Sequence, residues 1–226
     1  MNRFTKILFL YAAVFCLMTI PVFLITRRSI HLYFAWNIIL AMVPLVVSIL
    51  FVRHYKSLKG WMRIGLLVLW IFFLPNTFYV ITDFIHLQSS VFYTFGMPYT
   101  PIEYVKKITD WISLLHIFLA ALISLLSGSY SFFLLFEFGQ RKWKTPIQLG
   151  LIGGISLCSS VGIYIGRFLR FNSWDVLRPV LLIKEVLSSL DRFSLQYILL
   201  FFFIHIALIG LFFPLFRGSL SKKSVS

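Results

Sequence analysis

Four polar side chains stand out in one strongly apolar stretch, residues 74–87. Asn76, Tyr79, Asp83 and His86 follow one another at steps of three, four and three, so an α-helix would place them on one face. A carboxylate near an imidazole can form a hydrogen-bonded pair that fixes a helix end, act as an acid/base pair, or provide two metal ligands. A central charge facing lipid would cost about 2.5–3.5 kcal/mol on insertion scales, so we expect this face to point at protein or water.

A second polar segment follows the fifth apolar run of the chain. Arg167 and Arg170 are one helical turn apart, and Asn172 and Asp175 follow them in the pattern of a new helix start. The planar fork of arginine suits carboxylate and phosphate groups. Two interpretations stay open. One arginine neutralises Asp83 in a latch between two helices while Asp175 pairs with the other, or the arginines bind an anion.

The elements that carry these side chains are membrane-spanning helices. Of the 226 residues 60% are hydrophobic and only 12% are charged, with a mean hydropathy of +0.92, which ordinary soluble domains do not reach. Six apolar runs have the length of about 20 residues that a bilayer requires. They are residues 7–25, 32–52, 62–81, 111–136, 147–165 and 197–216. We therefore expect an all-α polytopic helix bundle that forms a single integral membrane domain, residues 1–226, with the first run retained as a span.

The distribution of charge predicts the orientation. With the amino terminus inside, the inner loops hold most lysines and arginines, whereas six of the seven acidic residues lie outside. Both termini are then cytoplasmic. The net charge of +14 thus reflects topology and contact with anionic lipids, and we expect no nucleic-acid partner.

The fourth span has a polar face of its own. The residues on this side are Asp110, Ser113, His116, Ala120, Ser124 and Ser127. Small and hydroxyl residues at this spacing predict helix packing, and His116 is the member suited to chemistry beyond packing. Asn37 in the second span is interpreted as a hydrogen-bonding contact between helices, and His205 as a core residue near mid-membrane.

Three further segments complete the expected architecture. In the fifth span a small-residue ridge recurs at steps of four, at Gly150, Gly154, Cys158, Gly162 and Gly166. Such a ridge lets another helix approach closely. Residues 88–107 lack helical periodicity and are predicted to be the longest exterior loop. Residues 176–190 alternate apolar and polar positions and predict an amphipathic helix in the outer interface, before the last span.

The sequence carries no motif for nucleotide or zinc chemistry. It has no P-loop, no GxGxxG, no GxSxG and no Cys/His cluster with zinc-finger spacing. Its two cysteines, Cys16 and Cys158, fall inside predicted spans, so we expect no disulfide. We expect no cofactor and no bound metal.

Three segments together resemble a known family. They are Ala35-Trp-Asn37 with Pro44, residues 74–87, and residues 162–175. They closely resemble DUF1361, a family of bacterial multi-pass membrane proteins of unknown function, over residues 30–215. Members of that family often have Pro-Asn-Ala-Pro-Tyr where this chain has Pro-Asn-Thr-Phe-Tyr, so one proline is missing here. The resemblance implies a bacterial cell membrane and no specific activity.

Three functions are compatible with these features. The favoured one is a binding or transport site near the outer leaflet, where Arg167 and Arg170 hold an anionic headgroup or small acid above Asn76, Tyr79 and the Asp83–His86 pair. The second is an intramembrane enzyme with Asp83 or His86 as general base. The third is a structural or assembly subunit. The corresponding partners are membrane lipids, some of them anionic, another membrane protein, or a second copy of the chain.

Overall fold

A computed structural model describes residues 3–95, 102–140, 144–171 and 178–221, and their side chains except those of Gln140, Pro179 and 218–221. In this part of the chain six helices are long and apolar enough to cross a membrane. They are Arg3–Thr26, Ile30–His54, Gly60–Ser89, Ile108–Gly139, Thr145–Leu169 and Arg192–Arg217. Each contains one of the six predicted runs, which confirms the all-α polytopic bundle.

The elements follow one another with short connections. The α-helices are α1 Arg3–Thr26, α2 Ile30–His54, α3 Gly60–Tyr79, α4 Ile108–Gln140, α5 Thr145–Tyr164, α6 Pro179–Ser188 and α7 Arg192–Ser221. A 3-10 helix, Val80–Ser89, continues α3, and a π turn, Ile165–Leu169, continues α5. Two short strands, β1 Tyr93–Thr94 and β2 Glu103–Tyr104, pair antiparallel between the 3-10 helix and α4.

The chain divides into two compact units. Unit 1 comprises Met1–Ile39 and Val80–Ser124, and unit 2 comprises Leu40–Tyr79 and Leu125–Ser226. Unit 1 therefore contains α1, the start of α2, the 3-10 helix, the strand pair and the start of α4. Unit 2 contains the remaining helical segments. The interpretation of the whole chain as a single domain stays a prediction.

The secondary structure of two segments differs from the one that the sequence predicts. The α-helix that would place the four polar residues on one face ends at Tyr79, where a 3-10 helix of ten residues begins. The stripe of four polar residues therefore lies on two kinds of helix, and its α-helical spacing holds only as far as Tyr79. The segment predicted as a loop from residue 88 contains the strand pair, with Tyr93 opposite Tyr104.

Close helix packing in unit 2 depends on two glycines. A Cβ atom at Gly162 would lie 2.5 Å from Cγ of Pro75, and one at Gly128 would overlap Thr77. Both glycines thus allow α3 to approach its neighbours α5 and α4. At Gly150 and Gly154 an added Cβ would meet no described atom within 4 Å. The predicted ridge is therefore a packing surface only near the end of α5.

The amino-terminal end of α7 is capped by Asp191. Its carboxylate accepts a hydrogen bond from the Ser194 N–H at 2.7 Å, and the Ser194 hydroxyl accepts one from the Asp191 N–H at 2.8 Å. This is the reciprocal arrangement of a capping box. The hydrogen bonds from Ser194 hold the pKa of Asp191 below its usual value. The cap fixes the start of the helix that brings Tyr197 into unit 2.

Large apolar side chains cover the outside of the helices. Leu17 and Phe203, for example, expose 65% and 64% of their surface. In water such surfaces would drive association, whereas in a bilayer lipid tails cover them. Helix α6 is confirmed within the predicted amphipathic segment, and its Val180 and Leu187 are exposed as well.

Candidate functional site

Polar side chains gather at one place in each unit. The set in unit 1, here the histidine network, consists of Thr19, Arg28, His31, Asp110, Ser113 and His116. The set in unit 2, here the arginine–tyrosine site, consists of Tyr79, Arg167 and Tyr197. Each set is described on its own below.

The end of α1 positions the first arginine of the histidine network. Arg27 adopts the left-handed conformation, with φ of 57°, and its N–H donates to the Phe23 carbonyl at 2.8 Å. This is a left-handed helix cap, a role that glycine usually fills. The cap ends α1 and turns the chain, so that Arg28 comes into contact with side chains of α4.

Arg28 forms an ion pair with a buried carboxylate. Its Nη2 lies 2.5 Å from Oδ1 of Asp110, and its Nη1 donates to Ser90 Oγ at 2.7 Å and to Ser113 Oγ at 3.3 Å. Asp110 is 1% exposed, and its second oxygen accepts from the Val91 N–H at 3.3 Å. Hydrogen bonds on both oxygens compensate for removing this carboxylate from water.

Two imidazoles extend the network into the interior of unit 1. His31 Nδ1 lies 3.1 Å from His116 Nδ1, while His31 Nε2 lies 3.2 Å from Ser113 Oγ. On the far side His116 Nε2 lies 3.2 Å from Thr19 Oγ1, and the His116 ring stacks on Phe15 with 4.3 Å between centroids. All four ring nitrogens therefore have polar partners, although both rings are buried.

Asp83 is held by a residue of α2. Asn37 Nδ2 donates to Asp83 Oδ2 at 2.8 Å, and Asp83 is 3% exposed. Residues three apart eclipse one another in a 3-10 helix. This geometry brings His86 Nε2 to 3.9 Å from Asp83 Oδ1, close enough for electrostatic attraction and too far for a hydrogen bond.

The arginine–tyrosine site begins where α5 changes into the π turn. Gly166 faces the Tyr79 ring, whose nearest atom would lie 3.4 Å from an added Cβ. Next to it the guanidinium carbon of Arg167 lies 4.3 Å above the centre of the Tyr79 ring, in cation–π geometry. π turns occur frequently at functional sites.

Tyr197 from α7 forms the third member of this site. It lies within electrostatic range of both Arg167 and Tyr79. Its hydroxyl is buried and makes no hydrogen bond to any residue that the structure describes. The ring packs at 4.8 Å on Phe201 and at 4.9 Å on Phe168, measured between centroids. The hydroxyl is therefore a buried polar group within electrostatic range of Arg167, on a ring that packs against other aromatic side chains.

Deeper in unit 2, His205 is a second buried polar group. It is 1% exposed and packs on Phe78 with 4.0 Å between ring centroids. The carbonyl of Ser156 is nearby, but neither ring nitrogen makes a hydrogen bond of normal geometry within the described residues. The contacts fit the predicted core position of this histidine.

A comparison with known protein families shows which family the chain belongs to. Residues 36–208 match the family described as "Protein of unknown function (DUF1361)". The chain belongs to the DUF1361 family. No curated protein and no solved structure matches it. The matched residues of this DUF1361 protein include Asn37, Asp83, His116 and Arg167, whereas Thr19, Arg28 and His31 precede them.

The structure brings some of the predicted site residues of the DUF1361 protein together. Tyr79 contacts Arg167, and Asp83 lies near His86. Asn76 donates to the carbonyl of Phe73, three residues earlier in α3, at 3.1 Å.

Other predicted members are exposed or not described. Arg170 is exposed and follows the π turn in the left-handed conformation, with φ of 58°, so α-helical spacing does not relate it to Arg167. Asn172 and Asp175 lie outside the described residues. Asp83 belongs to unit 1 and both arginines to unit 2, so the proposed latch stays a prediction, as does acid/base use of Asp83 and His86. Among described residues no group of three or more His, Cys, Asp and Glu has the arrangement of a metal site.

Sequence reasoning on this DUF1361 protein missed three pairings. They are Arg28 with Asp110, His31 with His116, and Asn37 with Asp83. Asn37 and His116 stood out in the sequence as polar groups inside spans. Their partners did not, because a single sequence does not show how one helix is rotated against another.

Proposed function

We propose that the protein binds an anionic headgroup or a small acid at the arginine–tyrosine site, near the membrane face predicted to be outer. One observation carries the proposal, the Arg167 guanidinium held 4.3 Å above the Tyr79 ring. Stacking engages the face of the guanidinium, and the N–H donors of an arginine lie in its plane. These donors match two oxygens of a carboxylate or phosphate.

The surroundings of Arg167 support binding of an anion in this place. The Tyr197 hydroxyl beside it is a donor, and its partner would be an oxygen of the ligand. Phe168 and Phe201 on Tyr197 lower the local polarity, which strengthens an ionic contact. Arg170 adds a second positive charge at the end of the same turn.

The ligand comes either from the lipid bilayer or from solution, because a phospholipid headgroup and a free acid offer the same oxygens. In this proposal the protein is a multi-pass protein of the bacterial cell membrane, with both termini cytoplasmic. The outer leaflet then supplies the lipid. Transport of a small acid would require in addition that the site opens to both faces.

Calorimetric titration tests the proposal and separates the two sources. Delipidated protein in neutral detergent is titrated with short-chain phosphatidylglycerol, with phosphatidylcholine of the same chain length, and with inorganic phosphate. We expect binding of phosphatidylglycerol and none of phosphatidylcholine, and phosphate binding only if the site takes free anions. A hydrogen bond to a charged group contributes about 1.5–3 kcal/mol, so Arg167→Ala should weaken binding about tenfold to a hundredfold.

Two variants serve as controls for this titration. Lys184→Ala removes an exposed charge from α6 and should bind like the wild type. Arg167→Lys keeps the charge and loses the planar fork, so its affinity should lie between those of wild type and Arg167→Ala. Equal affinities of wild type and Arg167→Ala for phosphatidylglycerol and phosphate would contradict the proposal.

A further inference from the structure

The histidine network contains an unbroken row of hydrogen-bonding contacts inside unit 1. From one end to the other it joins the Thr109 carbonyl, the Ser113 hydroxyl, His31, His116, the Thr19 hydroxyl and the Phe15 carbonyl. Five contacts of 2.8–3.2 Å connect these six groups. Both ends of the row are backbone carbonyls, which accept hydrogen bonds and donate none.

The number of protons in this row does not match the number of contacts. Each contact requires one hydrogen, and a hydroxyl or a neutral imidazole supplies one. Ser113, His31, His116 and Thr19 together supply four hydrogens for five contacts. With both histidines neutral, one contact lacks its hydrogen. One additional proton completes all five.

A second additional proton does not fit. The contact between His31 and His116 joins the two Nδ1 atoms at 3.1 Å, and only one of them can carry a hydrogen directed at the other. If both rings were imidazolium, two N–H groups would point at each other. The row therefore has room for one extra proton and no more.

The surrounding contacts fit the row with five hydrogens. Ser113 then donates to the Thr109 carbonyl and accepts from His31 Nε2–H, and its remaining lone pair accepts from Arg28 Nη1 at 3.3 Å. At the other end Thr19 donates to the Phe15 carbonyl at 3.0 Å and accepts from His116 Nε2–H. Every hydrogen and every ring nitrogen of the row then has a partner.

The other charged and titratable groups of unit 1 that take part in described contacts lie on several elements. They are Arg28 after α1, Lys107 and Asp110 at the start of α4, Asp83 and His86 on the 3-10 helix, and Cys16 on α1. Arg28 and Asp110 place charges of opposite sign next to the row, and the fifth hydrogen bond forms only when the additional proton is present.

We propose that His31 and His116 form a binding site for a single exchangeable proton, shared between their Nδ1 atoms. The proton is taken from the solvent and binds to the lone pair of one Nδ1, while the other Nδ1 keeps its lone pair and accepts the hydrogen bond. The pair then carries one positive charge. The site lies within about 12 Å of the start of α4, since His116 is the ninth residue of that helix.

Nitrogen-15 NMR of histidine-labelled protein in lipid nanodiscs tests this inference. The chain has five histidines, and substitution of His54, His86 and His205 one at a time assigns the signals. As the pH is lowered, we expect the signals of His31 and His116 to change together and the pair to take up one proton. Uptake of two protons, or of none over the range in which the protein elutes as a folded species, would overturn the proposal.

Variants at the two ends of the row test the proton count itself. Thr19→Val removes two contacts and one hydrogen, which leaves three hydrogens for three contacts, so the proton deficit disappears. We expect its proton affinity to be at least about tenfold lower than that of wild type, a shift of about one pH unit. Thr19→Ser keeps the hydroxyl and should behave like wild type.

A variant at the opposite end provides an independent test. Ser113→Ala also leaves three hydrogens for three contacts, so it should lower the proton affinity in the same direction if Thr19→Val does not fold. If Thr19→Val and Thr19→Ser titrate alike, or Ser113→Ala titrates like wild type, the count is wrong and the pair is a structural contact only.

Discussion

At the scale of single residues, substitutions at the Asn37–Asp83 contact show whether Asp83 has a structural or a chemical role. Asp83 is buried, and Asn37 donates to it at 2.8 Å. Removal of a partner from a buried polar group costs about 1–3 kcal/mol. We therefore expect Asn37→Ala and Asp83→Ala to lower the unfolding temperature in detergent. Ile39→Ala, at a position 51% exposed on the same helix, should have little effect.

The substitution Asp83→Asn completes this prediction. An amide oxygen can still accept from Asn37, so we expect stability close to that of wild type. Complementation of a deletion strain then reports on chemistry. A stable Asp83→Asn protein that fails to complement would support the general base hypothesis, whereas full complementation would limit Asp83 to a structural role. Equal stability of Asn37→Ala and wild type would show that the contact contributes nothing.

At the scale of elements, the crossing of α3 and α5 determines whether the arginine–tyrosine site forms. Gly162 lies against Pro75, four residues before Tyr79, and Gly166 lies against Tyr79 itself. A methyl group at Gly162 would force apart the helices that carry Tyr79 and Arg167. The proline ring cannot rotate away, so the backbone would have to move.

We expect Gly162→Ala to destabilise the protein by about 1–3 kcal/mol, the usual cost of overpacking. Gly154→Ala is the matched control, since an added Cβ there meets no described atom within 4 Å and alanine favours the helix. Thermal unfolding followed by size-exclusion chromatography compares the two. If Gly162→Ala were as stable as Gly154→Ala, the conclusion that α3 and α5 pack too closely at Gly162 for a methyl group would be wrong.

At the scale of the whole molecule, the sequence predicts the spans well because length and apolarity alone determine them. All six helices contain their predicted runs. The local changes of helix type at Val80 and Ile165 were not predicted, since they depend on packing around Tyr79 and Gly166 and leave no periodic signal. The partners of Asn37 and His116 were missed for a related reason, because they lie on other helices far along the chain.

Contacts within unit 2 fit the predicted directions of its helices. Arg217 near the end of α7 lies 3.8 Å from Glu137 near the end of α4, and the predicted topology puts both of these helix ends inside. At the opposite end, Tyr79 is the last residue of α3, Arg167 lies in the π turn that follows α5, and Tyr197 lies near the start of α7. Helices that run in the same direction thus end together, as the predicted topology requires.

Cysteine labelling on intact cells tests the orientation that the charges predict. Lys56 and Lys106 are both exposed, in connections at opposite ends of the spans by this topology. In a background where Cys16 and Cys158 are replaced by alanine, Lys106→Cys should react with a membrane-impermeant maleimide. Lys56→Cys should react only after lysis, because Arg53 at the end of α2 and Lys59 in the same connection keep this end of the spans inside. Labelling of Lys56→Cys in intact cells would reverse the orientation and place the arginine–tyrosine site at the inner leaflet, where anionic lipids carry the negative surface potential.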